Sequence, residues 1–290
     1  MIIVKLWGGL CNQMFQYAFG YQLSKRLNDE LAFDTDFYKN QPKYVDSRTL
    51  ELNNSFSLTK FEVMDRPKCI NIFQNRYVSY IIRKMNFMHV YMPHNVFFVK
   101  EKEHKYGENI PYKRSRINYY DGYWQTEEYF NWLAEDIRNE FAYPENVRKT
   151  VQEWLSQYSG RKLISLHIRR GDLAGKGYGY SDKEMIEYYH KAIDNIEKRV
   201  TDPLFVVFSD DIQWCKTSMN WNTTNMVFSE NKWGAIYDLC GISLCDHGIM
   251  SQSTYSWWGN WLGSPENRIV LAPKGESFNN KFIPERWEQI

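Results

Sequence analysis

Leu163-Ile164-Ser165-Leu166-His167-Ile168-Arg169-Arg170-Gly171-Asp172 is the stretch on which the reading of this chain turns. Its first half is the apolar run of a buried strand, and its second half ends in a histidine, two arginines and an aspartate. In α/β folds ligands bind outside the carboxyl ends of the strands, so such an ending carries its charges into a binding crevice. Two guanidiniums there form a clamp for a diphosphate, because the planar fork matches phosphate oxygens in pairs. A solvated strand end with one Arg–Asp pair explains the same residues. The neighbouring strand tips decide between the two.

Downstream the rhythm is regular. Gly171, Gly175, Gly177 and Gly179, interleaved with Tyr178 and Tyr180, make a loop suited to closing over a ligand. Ser181 and Glu184 have capping-box spacing and open a helix with Met185, Tyr189, Ile193 and Ile196 on one face. Residues 204–208 form a buried strand tipped by Ser209-Asp210-Asp211. A carboxylate at that tip either accepts hydrogen bonds from the edge of guanine or caps a helix starting near Ile212. Residues 226–228 and 247–250 read as strands around a helix over 233–244. The second of these strands is tipped by Ser251-Gln252-Ser253-Thr254-Tyr255-Ser256 and runs into Trp257-Trp258-Gly259-Asn260-Trp261-Leu262. Hydroxyls and open N–H groups at a helix start cradle phosphate, and they also serve as plain caps. A last strand covers 268–273. Strands alternating with helices make a parallel sheet.

Upstream, residues 2–6 read as a strand, Gly8-Gly9-Leu10-Cys11-Asn12-Gln13 as a turn, and the spacing of Met14, Tyr17, Ala18, Tyr21, Leu23 and Leu27 as a helix reaching Leu31. Glycines let a ligand approach the backbone and the helix start favours anions; a tight turn capped by Asn12 and Gln13 is the plainer alternative. A second strand over 31–33 ends in Asp34-Thr35-Asp36, an Asp-x-Asp of the kind that binds metal in one large class of glycosyltransferases. Residues 37–120 read as irregular loops with apolar pieces at Tyr80-Ile81-Ile82 and Val96-Phe97-Phe98-Val99. The patch Lys113-Arg114-Ser115-Arg116 is a solvated face that leaves open a contact with an acidic acceptor or a peripheral contact with a membrane. Asp121-Gly122-Tyr123-Trp124-Gln125 is a polar–aromatic tip before a helix over 127–141, and Pro144 opens another over 144–158. The expected architecture is α/β: two Rossmann-like domains facing across a cleft, residues 1–158 and 159–273, with a tail over 274–290 crossing back to the first.

Composition bounds the function. At 290 residues the chain suits one large domain or two modest ones. A net charge of +1 gives no general pull towards nucleic acid. Five cysteines without a CxxC pair point away from a disulfide framework or zinc site and towards a reducing compartment. No apolar run approaches bilayer length, and residues 1–6 are too short for a signal peptide. A soluble, cytoplasmic protein of bacterial type is expected. Aromatics at 17% agree with sugar stacking as well as with core.

Taken together, residues 8–18, 122–125, 167–172, 208–211 and 253–259 resemble, in order, the segments of the bacterial inverting α1,2-fucosyltransferases, glycosyltransferase family 11. One departure is Cys11, where that family usually has glycine, which puts the geometry of the turn in question. The resemblance implies a GT-B fold and GDP-fucose as donor substrate. It also implies transfer with inversion to the 2-hydroxyl of a galactose-terminated oligosaccharide or glycolipid, with no cofactor and no metal. It further implies Arg169 on the β-phosphate, His167 and Asp211 on the guanosine, and Ser253, Thr254 and Ser256 on phosphates or fucose, with Asn12 near the scissile bond. Arg170 and Gly9 are assigned to the donor and Tyr123, Trp124 and Gln125 to the acceptor; Asp172 is the nearest candidate base. The alternatives are a metal-dependent transferase using Asp34 and Asp36, or a non-catalytic carbohydrate-binding protein. The preferred galactoside and the oligomeric state are not readable.

Overall fold

Chain segments that are apolar without interruption become strands buried on both faces, and those with polar stripes become the helices that cover them. The computed structural model describes residues 1–41, 47–74, 78, 89–102, 106–114, 116–170, 181–230, 232–264, 266–274 and 281–290. They fall into two α/β units, Met1–Ala142 with Phe278–Phe282, and Tyr143–Ser277 with Ile283–Ile290.

In the first unit β1 (Ile2–Lys5) is followed by α1 (Leu10–Leu27), β2 (Leu31–Asp34) and single helical turns at Asp36–Lys39 and Leu52–Ser55. The helix stops short of Leu31 because Asn28 turns left-handed at φ 49 and returns its N–H to the carbonyl of Ser24. Next come β3 (His89–Met92), β4 (Val96–Lys100) and β5 (Ile117–Asp121). The sheet order is β2-β1-β5-β4-β3, parallel except for β3 against β4. So β5, which the sequence does not reveal, is the central strand. Its polar member, Asn118, is buried because its amide bonds the backbone of Lys113 and Arg116. The helix expected over 127–141 is broken into turns at Glu127–Tyr129 and Asn131–Leu133 before α2 (Ala134–Glu140). Phe130, at φ −133, leaves helical geometry as it and Tyr129 turn into the core. Phe282 returns to this unit beside Phe15, and the carbonyl of Lys281 accepts the Thr126 hydroxyl at 2.6 Å.

The second unit begins with α3 (Glu145–Ser156) and β6 (Lys162–Ile168), then α4 (Asp182–Glu197), β7 (Pro203–Ser209) and α5 (Ile212–Ser218). It continues with β8 (Met226–Phe228), α6 (Ala235–Leu244), β9 (His247–Ile249), α7 (Thr254–Leu262), β10 (Val270–Ala272) and β11 (Glu288–Gln289). The order β11-β10-β9-β6-β7-β8 is parallel throughout. Val147, Val151 and Leu155 of α3 pack on Val206, Phe208 and Cys240, so this helix covers the second sheet. The division therefore falls after Ala142, not after Tyr158. Ile193 and Ile196 of α4 join Ile164, Leu166, Phe205 and Val207 in the cluster that α4 forms on this sheet. Cys11, Cys215, Cys240 and Cys245 are buried and Cys69 is partly exposed. No helix among the described residues is long and apolar enough to cross a membrane. Tyr80-Ile81-Ile82 and the glycine-rich loop 171–180 lie outside the described residues.

Register fixes where chemistry collects. Lys5 lies opposite Asp34 and Lys100 opposite Asp121; in the other sheet Ile168 lies opposite Ser209 and Leu166 opposite Ile249. Parallel strands thus deliver the polar tips of each unit to one edge.

Candidate active site

The edge of the first unit is tied together by amides. Gln13, fully buried on α1, accepts the backbone N–H groups of Glu51 and Leu52 and donates to the carbonyls of Gly8 and Thr49. Gln16, equally buried, accepts from Trp7 N–H at 3.0 Å and donates to the carbonyls of Trp7 and Gly122. One helix therefore holds three chain segments. Gly8 sits at φ +81, and a Cβ there would lie 2.6 Å from Asn12 Nδ2, so the turn before α1 demands glycine twice over. Gly9 is the N-cap of α1, and Cys11 takes ordinary helical geometry in its first turn. The departure at Cys11 thus leaves the turn intact.

Asn12 and Gln125, named from segments far apart in the sequence, meet here: Gln125 Nε2 donates to Asn12 Oδ1 at 3.0 Å. Tyr123 stacks on Trp7 with ring centroids 3.9 Å apart. Trp7 was not singled out from sequence; its place directly between a strand and two glycines is the signal that could have found it. The acceptor role expected of Trp124 does not fit. Its ring is 2% exposed and lies flat on Phe19, with centroids 3.8 Å apart, so it is core. Asp34 and Asp36 both bind Arg66, at 2.6 and 3.1 Å, and Asp34 also accepts the Tyr119 hydroxyl. A protein cation already occupies the place where the metal-dependent alternative would put a metal. Asp121 is burdened by burial, but Lys5, at 3.0 Å, and Lys100 outweigh it and hold the carboxyl below its ordinary range.

The edge of the second unit is built from charges. Arg169 Nη1 pairs with Asp210 at 2.9 Å, both side chains about a quarter exposed. Arg170 goes elsewhere: its guanidinium lies 3.8 Å over Trp214 and pairs with Asp182 at 2.6 Å, with Asp211 further off at 3.9 Å. The two-arginine clamp is therefore divided, and Arg169 is the member left at the edge. Asp210 also accepts the backbone N–H of Arg170 at 2.8 Å, which fixes the strand tip. Asp211 caps α5 by accepting the N–H of Trp214.

His167 is 4% exposed. Burial, then the charge of Arg169, pulls its pKa down to about 3, so the ring is neutral at working pH. Its Nδ1 meets Ser251 Oγ at 3.0 Å, its carbonyl accepts the Tyr189 hydroxyl, and Tyr255 lies against its ring at 5.1 Å. Ser253 caps α7 through Tyr255 N–H, and Thr254 is half-buried beside it. Ser256 does not fit direct contact with a ligand: it is fully buried, and its hydroxyl accepts the N–H of Ser251. It positions Ser251 and through it His167. Asp172 lies outside the described residues.

The profile of glycosyl transferase family 11 matches residues 1–287. An α-1,2-colitosyltransferase of Escherichia coli is 30% identical over 305 residues, covering 100% of this chain and 99% of that protein. The galactoside 2-α-L-fucosyltransferase Sec1 of Mus musculus is 28% identical over 182 residues, covering 57% of this chain and 48% of its own length. Among solved structures, the fucosyltransferase NodZ from Bradyrhizobium aligns with a TM-score of 0.56 at 12% identity, covering 90% of this chain and 92% of that one. At that identity the likeness speaks for the fold, and it agrees with the expected GT-B-like α/β architecture.

Proposed function

The chain belongs to glycosyl transferase family 11, and from that premise we propose that it moves L-fucose from GDP-fucose to the 2-hydroxyl of a terminal galactose, with inversion and without a metal. The observation that carries this reading is Arg169 just past the carboxyl end of β6, two residues from a buried neutral histidine that itself meets Ser251 and Tyr255 at the start of α7. Breaking the bond between sugar and phosphate leaves an oxocarbenium-like sugar and a growing charge on the nucleotide. A fixed guanidinium, aided by open N–H groups at a helix start, meets that charge as it forms, and such stabilisation is usually the largest catalytic term. His167 and Asp211 are assigned to the guanosine, Ser253 and Thr254 to the phosphates, Arg169 to the β-phosphate, and Arg170 to holding the tip through Trp214.

Asn12, Gly9, Tyr123 and Gln125 form the edge assigned to the reacting sugar and its acceptor. Asp172 stays the candidate base. The five cysteines, odd in number and without a CxxC pair, agree with placement in a reducing cytoplasm, and the acceptor is a galactose-ended oligosaccharide or glycolipid.

One second reading has a specific observation behind it. A full-length relative is a colitosyltransferase, so the transferred sugar is either fucose or its deoxy relative colitose. The test offers the purified chain each sugar nucleotide with lactose, N-acetyllactosamine and Gal-β1,3-linked acceptors, with and without EDTA, followed by linkage analysis. An α1,2-fucosylated product that survives EDTA is expected. Colitose transfer alone replaces the donor, and loss of product with EDTA overturns the metal-free scheme.

A further inference from the structure

Glu101 follows β4 at the same edge of the first sheet as Asn12. Its Oε2 accepts two backbone N–H groups, from Tyr123 at 2.6 Å and from Trp124 at 2.9 Å. Those bonds hold a backbone that is otherwise costly, because Trp124 sits at φ 57, in the left-handed region that a bulky residue rarely enters. Gly122 leaves room for the carboxylate: a Cβ there would stand 2.4 Å from Glu101 Cβ and 2.7 Å from Oε2. The turn so held sends three side chains in three directions. Gln125 reaches Asn12, Tyr123 covers Trp7, and Trp124 is driven into the core against Phe19.

We infer that Glu101 is a positioning residue that sets the Gly122–Gln125 turn, so that Gln125 holds Asn12 and Tyr123 stays on Trp7. The inference rests on the reading of that edge as the acceptor side. Glu101 bonds the turn and Gln125 bonds Asn12, so Glu101 acts through the turn. Burial first, then the charge of Asp121, pushes its carboxyl up to about 7 against the pull of the two N–H donors. Either protonation state keeps an oxygen for those donors. A glutamine amide oxygen can occupy the same place, whereas alanine leaves both N–H groups without an acceptor.

The experiment compares the wild-type chain with Glu101→Gln and Glu101→Ala. It measures acceptor kcat/KM, the Kd for GDP, the melting temperature, and hydrogen exchange at the Tyr123 and Trp124 amides. Glu101→Ala is expected to lower acceptor kcat/KM by about 10- to 100-fold, the scale of a misplacement near 1 Å. Its Kd for GDP is expected to stay within about twofold, and the two amides to exchange faster. Glu101→Gln is expected to restore transfer to within about threefold and to restore protection, since only the acceptor oxygen is required.

A glutamine variant as inactive as the alanine variant, with its amides still protected, overturns the inference by making the carboxylate itself the working group. So does an alanine variant with full kcat/KM and a lower melting temperature alone. Where Glu101→Ala fails to bind GDP at all, Glu101→Asp, which keeps the charge but shortens the reach, takes its place with the same expected losses. The exchange measurement needs no substrate. Unchanged protection in Glu101→Ala therefore refutes this inference whatever the donor is, and absence of transfer by the wild type refutes only the functional reading.

Discussion

Two polar edges, one in each unit, are held in place by different chemistry. Asn12, Gln13, Gln16 and Gln125 knit the start of α1 and the turn after β5 with uncharged amides, of which Gln13 and Gln16 are buried and bonded to backbone, while Lys5–Asp121 and Arg66 with Asp34 and Asp36 lie alongside as ion pairs. Arg169, Arg170, Asp182, Asp210 and Asp211 knit the second with ion pairs at half-exposed positions. Buried amides are satisfied once and stay put, since breaking them leaves donors without acceptors. Ion pairs in contact with water are worth little and exchange partners readily. The buried amides of the first edge thus hold geometry and the partly exposed arginines of the second can meet an anion, which is what the proposed roles require of an acceptor that is a neutral hydroxyl and a leaving group that gains charge.

The sharpest way to break that contrast is at Arg169. Arg169→Ala is expected to lower turnover by about 10²–10³ fold, the scale for removing one donor that meets developing charge. Its melting temperature should stay near wild type, because the pair it loses is partly exposed. Steady-state transfer and thermal unfolding, run on the same preparation, check both halves. Near-normal turnover would detach the second edge from the chemistry.

The converse applies at Gln13. Gln13→Leu is close in volume but strands the N–H groups of Glu51 and Leu52 and two carbonyls. At about 1–3 kcal/mol for a buried group left unsatisfied, a loss of roughly 3 kcal/mol is expected in urea unfolding. GDP affinity of the folded fraction should be unchanged. A loss below about 1 kcal/mol, within the range of a single ordinary hydrogen bond, would mean that the amides decorate the first edge rather than hold it.

These contrasts show how far residues alone could be read. The tip of β6 was legible because an apolar run ending in charge has few explanations, and Asn12 and Gln125 each stood out at a turn before a helix, although their bond to one another did not. Direction was not legible. Neighbours in extended chain point to opposite faces, so Arg169 and Arg170 look alike in sequence and part in space. Ser256 sits on the inward face of α7 while Ser253 caps its start.

Long-range partners were equally hidden. Arg66 lies some thirty residues from Asp34 yet claims the Asp-x-Asp pair, and Tyr119 of β5 is buried with its hydroxyl on Asp34. A strand written Ile117-Asn118-Tyr119-Tyr120-Asp121 has no alternating pattern of its own, because each polar group is satisfied by residues elsewhere. Glu101 was missed for the same reason: its partners are backbone N–H groups, which leave no trace in residue identity.

Acid separates the two edges further. The His167 pKa is depressed to about 3 in the folded chain, so the unfolded chain takes up a proton first as pH falls below the ordinary value of about 6.5. The stability contributed by its neutral form is therefore complete above about pH 6.5 and is lost progressively towards pH 3. Between pH 6.5 and 5 the loss is expected to be about 2 kcal/mol, at 1.36 kcal/mol per unit. Urea unfolding of wild type and His167→Gln across that window checks it, since the variant should have the shallower slope. Equal slopes would place the acid sensitivity elsewhere.

The smallest expected effect concerns Asp210, and it tests whether the charged edge keeps a carboxylate where the proposed function puts a phosphate. Asp210 holds the strand tip with one oxygen on the backbone N–H of Arg170 and occupies Arg169 with the other. Asparagine retains an oxygen for the backbone bond and removes the charge that competes with an incoming anion. A partly exposed ion pair is worth about 0.2–1 kcal/mol. Releasing it should therefore tighten GDP binding by up to about fivefold, at about 1.4 kcal/mol per tenfold. The gain should shrink as salt is raised, because screening weakens the pair that the substitution removes. Calorimetric titration of GDP at low and high ionic strength reads both. Weaker binding in Asp210→Asn would mean that the carboxylate orients Arg169 for the phosphate rather than standing in its place.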